Sequence, residues 1–318
     1  MASVLPIVNL SADGKPAEGK ASALSGELAA PATDIDFERR FGGIARLYGD
    51  AALAVFRNAH VCVIGVGGVG SWAVEALART AIGKITMIDL DHLAESNVNR
   101  QIHALTDTLG KSKVGALRER IAQINPYCEV GEVEEFIDPD NVEQMLPPGR
   151  YDYVIDAIDN AKAKVALIVH CRQHRIPLVT IGSAGGQVDP TRIEVCDLSR
   201  TEQEPLLARV RKRLRAAHGF PRDRRHKFHI DAVWSSEPLR QPDVCEVDDD
   251  AEPGAQAASA NAGNAGITGI NCAGYGSAVV VTASFGFVAA GHVLRKLADA
   301  ASQPPAQSPV QSPVQSPA

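Results

Sequence analysis

Short apolar runs alternate with longer segments of helical periodicity through the middle of this 318-residue chain. The runs are rich in valine and isoleucine and are bounded by turn-forming residues, as buried strands are. They are centred near Val61, Ile85, Val130, Val154 and Leu178. Strands that alternate with helices predict an α/β fold, doubly wound and Rossmann-like, around a mainly parallel sheet.

The alternation ends at about residue 182, and the pattern then changes. An apolar run at residues 193–196 predicts one further strand. We therefore expect residues 34–182 to form a Rossmann-like region and residues 183–300 to form an antiparallel or irregular C-terminal extension of the same domain. The extension contains an acidic, then Ala/Asn/Gly-rich stretch at residues 246–266, which predicts a mobile loop.

Both ends of the chain have compositions that do not support a packed core. Residues 1–33 are rich in alanine, serine, glycine and proline, and the tail at residues 301–318 repeats Gln-Ser-Pro-Val. We expect both segments to be disordered. The first has no charged region followed by a long apolar core, so we expect no signal peptide.

One apolar segment, residues 278–294, has the composition of a membrane span. It is slightly shorter than the roughly 20 residues that a span requires. It also contains Thr282, Ser284, Gly286 and Gly291. The segment therefore predicts a buried helix and no membrane contact.

A glycine-rich turn follows the first predicted strand. Its glycines allow a tight turn and a close approach of the backbone to phosphate, and a helix predicted over residues 71–80 would direct its N-terminus at the anion. Asp89 ends the second strand about 20 residues further on, where an acceptor for ribose hydroxyls belongs. The turn by itself fits an NAD-binding unit equally well, since such turns hold many ligands. Its glycines are Gly65, Gly67, Gly68 and Gly70.

Polar residues after the later strands favour a triphosphate over a nicotinamide cofactor. Asn97, Arg100 and Gln101 follow the second strand, Lys113 begins a helix predicted over residues 113–124, and Asp159 follows the fourth strand. Carboxyl ends of parallel strands meet at one edge of a sheet, so these groups converge there. Arginine and lysine neutralise charge that develops on phosphorus, and a carboxylate holds Mg²⁺. Taken singly, Lys113 fits a solvated helix lysine and Asp159 a helix N-cap.

These motifs resemble the ThiF/MoeB/HesA family, adenylating enzymes related to ubiquitin-activating enzymes. The resemblance covers roughly residues 37–195. It implies that Asp89 binds the ribose of ATP, that Asn97 and Arg100 meet the phosphates, that Lys113 assists phosphate departure and that Asp159 holds Mg²⁺. The motifs are Gly65-x-Gly67-Gly68-x-Gly70, Asp89-x-Asp91, Asn97-x-Asn99-Arg100-Gln101, Lys113-Val114, Ile124-Asn125-Pro126 and Asp156-Ala-Ile-Asp159-Asn160.

A more specific resemblance, over about residues 37–297, is to the branch of this family that dehydrates threonylcarbamoyladenosine in tRNA. It is carried by residues 40–49, 99–104 and 185–190 and by Cys272 ahead of residues 281–287. It implies that ATP activates the threonyl carboxylate of N6-threonylcarbamoyladenosine, on which the carbamoyl group then closes a ring with net loss of water. It also implies a homodimer and contact with a cysteine desulfurase or sulfur-acceptor system.

Two other function classes stay open at this point. One is the adenylation of the C-terminal glycine of a ubiquitin-like sulfur carrier, and the other is an NAD-dependent oxidoreductase. Related carrier-activating enzymes often hold zinc with two Cys-x-x-Cys pairs, but none of the six cysteines here has that spacing, so we expect no structural zinc. Unpaired cysteines suit a reducing cytoplasm. An arginine that a neighbouring subunit supplies in some members has no unambiguous counterpart: Gly43 takes its place, with Arg40 and Arg46 nearby.

The charge of the chain is unevenly distributed. The net charge is −6, which argues against an extended nucleic-acid coat, yet residues 209–227 contain nine basic side chains. Such a cluster releases counterions from a phosphate backbone. Because the resemblance implies a tRNA substrate, we expect Arg211, Arg213 and Arg215 to contact RNA. The alternative is a solvated helix face.

Overall fold

The computed structural model of the chain describes residues 35–223, 225–240 and 275–302. The predictions for residues 1–33, for the loop at 246–266 and for most of the tail lie outside these residues, as does Cys272. Contacts divide the chain into two units, Met1–Phe37 and Glu38–Ala318. Only residues 35–37 of the first unit are described, and the second unit contains the sheet.

Seven strands form one sheet, in the order β3-β2-β1-β4-β5-β7-β6. All neighbours are parallel except β6 and β7, which are antiparallel. The predicted doubly wound, mainly parallel sheet is confirmed, and the C-terminal extension adds the antiparallel pair of β6 and β7. The sequence predicted only β6 of these two strands. The strands are β1 (His60–Ile64), β2 (Lys84–Ile88), β3 (Glu129–Val133), β4 (Tyr153–Asp156), β5 (Leu178–Ile181), β6 (Ile193–Asp197) and β7 (Asp231–Ser235).

Helices cover both faces of the sheet. On one face α2, α3 and α8 bury Phe56, Leu77 and Phe285, and on the other α6 and α7 bury Leu167 and Leu207. The helices are α1 (Phe37–Tyr48), α2 (Asp50–Asn58), α3 (Gly70–Arg79), α4 (Lys113–Ile124), α5 (Val142–Met145), α6 (Ala161–His174), α7 (Pro205–Ala217) and α8 (Val279–Ala301).

The apolar segment near the C-terminus is a helix of the core, as the sequence predicts. α8 is long and apolar enough to cross a membrane, but 56% of its most apolar stretch is buried inside the protein. It packs closely on α3, because a Cβ at Gly286 would lie 2.5 Å from the carbonyl oxygen of Val69. Glycine at this position therefore lets α8 approach the start of α3, beside the glycine turn.

The local signals place the polar residues accurately. α4 begins at Lys113, where the Ser112 side chain accepts a hydrogen bond from the Gly115 N–H at 3.3 Å. Asn160 caps α6 by accepting from the Lys162 and Ala163 N–H groups. The cap alternative for Asp159 is therefore wrong, since the neighbouring residue fills that position.

Candidate active site

A cavity of about 390 Å³ lies at the carboxyl ends of β1, β2 and β4. The strand order reverses between β1 and β4, and open α/β sheets bind ligands in the crevice at such a switch point. The volume lies in the range of small-molecule sites. The cavity is lined by nearly every residue that the sequence singles out for nucleotide binding, namely Gly65, Gly67, Gly68, Asp89, Asn97, Arg100, Gln101, Lys113 and Asp159.

Two glycines shape the turn between β1 and α3. Gly65 has a φ of 79°, which glycine adopts without strain. A Cβ at Gly70 would lie only 1.9 Å from the carbonyl oxygen of Gly65. Gly70 does not line the cavity. Instead, its missing side chain allows the turn to close upon itself, which places the first N–H groups of α3 at the cavity.

Asp89 is held rigidly in the cavity wall. Its Oδ2 accepts a hydrogen bond from the Val66 N–H at 2.8 Å, and its Oδ1 accepts one from the Asp91 N–H at 2.9 Å. The side chain is buried, and burial raises the pKa of this carboxyl, against the opposing effect of the nearby Lys113 ammonium. The glycine turn and the end of β2 are thereby joined through one carboxylate.

Lys113 is enclosed, and its charge is paired within the site. Its Nζ lies 2.6 Å from Asp91 Oδ2 and 3.7 Å from Asp89 Oδ1, and its side chain is 7% exposed. The alternative of a solvated helix lysine is therefore wrong. The sequence-based expectations give Asp91 no role of its own. The Asp89-x-Asp91 spacing is nevertheless a signal for one, because two carboxylates close to the end of a strand can both face the same cavity.

Arg100 lies over the glycine turn. Its Nη1 donates to the Ser96 carbonyl oxygen at 2.7 Å and to Asn99 Oδ1 at 3.0 Å, and its Cδ would lie 3.2 Å from a Cβ at Gly68. Partial burial lowers the pKa of its guanidinium. The arrangement places a half-buried positive charge against the backbone that a phosphate would approach.

The loop that carries Arg100 is tied to α3 and α8. Trp72 Nε1 donates to the Arg100 carbonyl oxygen at 2.9 Å, and Thr282 Oγ1 donates to the same oxygen at 3.5 Å. Asn97 Oδ1 accepts from the Ala94 N–H at 3.1 Å, which closes the preceding turn. Gln101 is 6% exposed, and its Oε1 has no hydrogen-bond partner within the described part of the chain. A buried acceptor of this kind, in a cavity wall, suits a ligand that donates to it.

Below the cavity, a buried ion pair supports the end of β4. Lys164 and Asp156 are both 0% exposed, with Nζ and Oδ2 2.9 Å apart. Thr180 Oγ1 donates to Asp156 Oδ2 at 2.6 Å, and the Ile158 N–H donates to Asp156 Oδ1 at 3.1 Å. The pair thus fixes the loop that leads to Asp159, an exposed residue at the rim of the cavity. The local pattern does not mark Lys164 as a part of this site; the available signal is a lysine in line with the apolar positions of α6.

The basic stretch is divided by the periodicity of α7. Arg213 is exposed, but Arg211 is buried on the same face as Leu207 and Leu214 and donates to Thr201 Oγ1. Arg215 is half-buried, and its Nε donates to the Pro221 carbonyl oxygen at 3.1 Å. The expected set of three RNA-contacting arginines needs correction, because consecutive odd-numbered residues of a helix do not share one face.

The chain is similar to known proteins over most of its length. The ThiF family model matches residues 42–312. A tRNA threonylcarbamoyladenosine dehydratase of Escherichia coli strain K12 is 51% identical over 266 residues, which are 82% of this chain and 94% of that relative.

Two solved structures of E. coli tRNA N6-threonylcarbamoyladenosine dehydratase are also similar to it. One is in complex with ATP; it is 47% identical, with a TM-score of 0.73, and the match covers 86% of this chain and 100% of that one. The other is in complex with AMP and has the same identity, TM-score and coverage.

Proposed function

We propose a function from one premise: the chain belongs to the ThiF family. It is an ATP-dependent enzyme that dehydrates N6-threonylcarbamoyladenosine in tRNA to its cyclic form. The observation that carries this function is the convergence of the glycine turn, Asp89, Arg100 and Lys113 on one cavity at the switch point of the sheet. Two relatives that the chain matches over 94% of their length are named tRNA threonylcarbamoyladenosine dehydratase. Adenylation of a sulfur carrier has no comparable support.

In the first step the threonyl carboxylate attacks the α-phosphorus of ATP, and pyrophosphate leaves. Negative charge increases on the phosphoryl oxygens as this occurs, and a preorganised cation stabilises it. Arg100 supplies that charge from above the glycine turn, while Asp89 orients the ribose. Lys113 Nζ lies 2.6 Å from Asp91 Oδ2, and it reaches the leaving phosphates once this contact opens.

In the second step the carbamoyl group attacks the activated carboxyl and AMP leaves, so that the net change in the nucleoside is the loss of water. Nucleophile and acyl group belong to one molecule, which removes most of the entropic barrier. The step requires no thiol. Burial raises the pKa of Cys128 and Cys171 to about 12, so neither supplies a thiolate at neutral pH.

Mg²⁺ fits the site through Asp159. Magnesium in nucleotide sites takes one or two protein carboxylates and completes its shell with phosphate oxygens and water. Asp159 lines the cavity after the end of β4. Asp91, another carboxylate of the cavity wall, is paired with Lys113. When bound, the ion would neutralise phosphate charge.

For Asp159→Ala we expect the Mg²⁺ concentration at half-maximal pyrophosphate release to rise at least about tenfold, the effect of losing roughly 1.4 kcal/mol of binding. Asp107→Ala, which removes an exposed carboxylate outside the cavity, serves as the control. A Mg²⁺ dependence identical to that of the unaltered enzyme would reject the assignment.

The function is tested by mass spectrometry of tRNA nucleosides after incubation with the protein and ATP. We expect threonylcarbamoyladenosine to be replaced by a nucleoside that is lighter by one water, and only when ATP is present. A parallel reaction offers a peptide that ends in Gly-Gly in place of tRNA. Adenylation of that peptide without any change in the tRNA nucleoside would transfer the assignment to sulfur-carrier activation.

Asp89→Ala is expected to weaken ATP binding about 10- to 100-fold. The side chain offers a charged acceptor to ribose hydroxyls, and hydrogen bonds to charged groups contribute roughly 1.5–3 kcal/mol. Calorimetry on the variant and on Asp107→Ala measures the effect, with NAD as a competitor that should not displace ATP. If the ATP affinity of Asp89→Ala equals that of the control, Asp89 does not hold the ribose.

The exposed face of α7 is proposed to bind the anticodon stem-loop. Arg209, Lys212 and Arg213 face solvent on this helix, and none of the three has a carboxylate within 4.0 Å among the described residues. Unpaired cations on one face suit a phosphate backbone, since their charge is available to release counterions. Arg213 stays in the proposed RNA-binding set and Arg211 does not.

Arg209→Ala/Arg213→Ala should weaken tRNA binding and reduce the slope of log affinity against log salt by roughly one unit per lost phosphate contact. ATP affinity should not change. Arg118→Ala on α4, 51% exposed, is the matched control because it also removes an exposed guanidinium from a helix. A variant with the salt slope of the control would show that this face is only solvated.

Three further properties are proposed on the strength of the family resemblance: a homodimer, contact with a cysteine desulfurase or sulfur-acceptor system, and a cytoplasmic location. Exposed apolar side chains on α8, Val280 at 56% and Phe287 at 47%, support association with a second copy. Light scattering of the purified protein measures its mass in solution and tests the dimer directly.

A further inference from the structure

A second cleft lies at the edge of the sheet opposite to the candidate active site. Two adjoining cavities of about 470 and 480 Å³ share a wall formed by His229, Asp231 and Lys296. Their other residues come from the beginnings of β4 and β5, the end of β6, the end of α6, the segment before β7 and the C-terminal half of α8. We call this feature the amino-edge cleft, because the parallel strands begin there.

Cations from three separate parts of the chain surround the amino-edge cleft. Arg172 and Arg175 come from the end of α6, Lys227 from the segment before β7, and Arg295 and Lys296 from α8. All five are exposed. Within the described ranges, neither Lys227 nor Arg295 has a carboxylate within 4.0 Å. The cleft therefore presents two cations that no carboxylate of the described residues pairs with.

The carboxylates that line the cleft are already occupied. Asp197 Oδ1 accepts from the Ser199 and Phe228 N–H groups, both at 2.9 Å, and its Oδ2 accepts from the His229 N–H at 2.7 Å. Asp231 Oδ2 lies 2.8 Å from His292 Nε2 and 3.3 Å from Lys296 Nζ.

The third carboxylate, Asp152, accepts from the His60 N–H at 2.7 Å. Each acid thus holds the frame of the cleft together, and none pairs with Lys227 or Arg295. An incoming anion would therefore meet Lys227 and Arg295 without competition from these three carboxylates.

We propose that the amino-edge cleft binds backbone phosphates of the tRNA substrate, away from the nucleotide that reacts. The proposal rests on the proposed function. ATP and the reacting nucleotide occupy the carboxyl edge, and a five-residue strand such as β1 separates the two edges by roughly 16 Å. A ligand that engages both edges must be long and repeatedly anionic, which fits an RNA backbone better than a free phosphate.

The position of the cations agrees with such a ligand. Lys227 belongs to the segment that follows α7, the helix that carries the exposed Arg209 and Arg213. Arginine side chains present a planar fork that matches phosphate oxygens. Arg172 is oriented by the ring of Phe220, with its guanidinium carbon 4.2 Å from the ring centre. The cleft would thus hold successive phosphates and set the direction in which the tRNA leaves the reaction site.

The test is tRNA binding to the double variant Lys227→Gln/Arg295→Gln, measured by fluorescence anisotropy over a range of salt concentrations. We expect the dissociation constant to rise about tenfold or more at low salt and the salt slope to fall by one to two units. The KM for ATP should stay unchanged, because the ATP site lies at the other edge. Arg295→Gln alone should show part of the effect, and Arg118→Gln, on α4, none.

Two outcomes would overturn the proposal. One is a tRNA affinity and salt slope equal to those of Arg118→Gln. The other is a loss of affinity for pyrophosphate alone, with tRNA binding intact, which would mean that the cleft holds a free anion. Thermal melting of each variant separates lost contacts from lost folding, and charge-retaining Lys227→Arg/Arg295→Lys should keep the wild-type slope. Absence of the cyclic nucleoside with the unaltered protein would reject the proposed function instead, whatever these variants bind.

Discussion

Replacing Arg100 by alanine is expected to lower the rate of pyrophosphate release about 100- to 1,000-fold with saturating ATP. Removing one preorganised donor that faces developing charge has an effect of this size in other enzymes. The half-buried guanidinium lies over Gly68 and is held by Ser96 and Asn99. It is therefore positioned before ATP binds, and its electrostatic effect is not reduced by reorganisation.

The Arg100 side chain also organises its own loop, so the experiment must separate chemistry from structure. Arg100→Lys retains the charge but not the fork, and we expect it to recover part of the rate. ATP affinity and thermal melting of Arg100→Ala report on the loop, whereas turnover reports on the transition state. A release rate within a few-fold of that of Arg118→Ala, measured in the same way, would exclude a catalytic role for Arg100.

Lys164→Met is expected to lower the free energy of unfolding by about 3–5 kcal/mol, the cost of leaving one partner of a buried ion pair without the other. The side chains of Lys164 and Asp156 are completely buried, and methionine cannot replace the contacts of Nζ with Asp156 Oδ2 and Thr180 Oγ1. Domains are stable by only about 5–15 kcal/mol in total, so the loss is large.

Denaturant unfolding of Lys164→Met and Lys162→Met gives the comparison directly. Lys162 lies two residues earlier on α6 and is exposed, so its replacement should change the stability by less than about 0.5 kcal/mol. The double variant Asp156→Asn/Lys164→Met should lose less than the sum of the two single variants, because no uncompensated charge stays buried. Equal effects of Lys164→Met and Lys162→Met would mean that the buried pair contributes nothing.

The Lys164 pair also links stability to the site. Asp156 holds the Ile158 N–H, and Asp159 follows on the same loop. We expect the stable fraction of Lys164→Met to bind ATP less well, since the end of β4 forms part of the cavity. The sequence shows only a carboxylate at a strand end. Asp156 can be buried as a charged group only because Lys164 of the next helix and Thr180 of the next strand contact it.

The local pattern of the chain determined the order and type of its central elements, although it did not predict β7 (Asp231–Ser235). Strands near Val61, Ile85 and Val154 and the helix Lys113–Ile124 appear where the apolar period and the cap residues predict them. These signals act over a few residues, through backbone geometry and side-chain periodicity, and are complete within the sequence. The same pattern brought the glycine turn, Asp89 and Arg100 to one sheet edge, because parallel strands all end on one side.

Only the tertiary structure decided how the charged groups are partnered. The fold brings together residues that are far apart in the chain or that share a helix face only after packing. Examples are the pairing of Lys113 with Asp91, the burial of Lys164 and Arg211, and the amino-edge cleft. A charged side chain carries no local mark of its future burial, since desolvation and Coulomb energies depend on what the fold places around it. For this protein the sequence specified which groups reach the cavity. The tertiary packing determined which charges, both at the cavity and on α6, α7 and α8, are still available to a ligand.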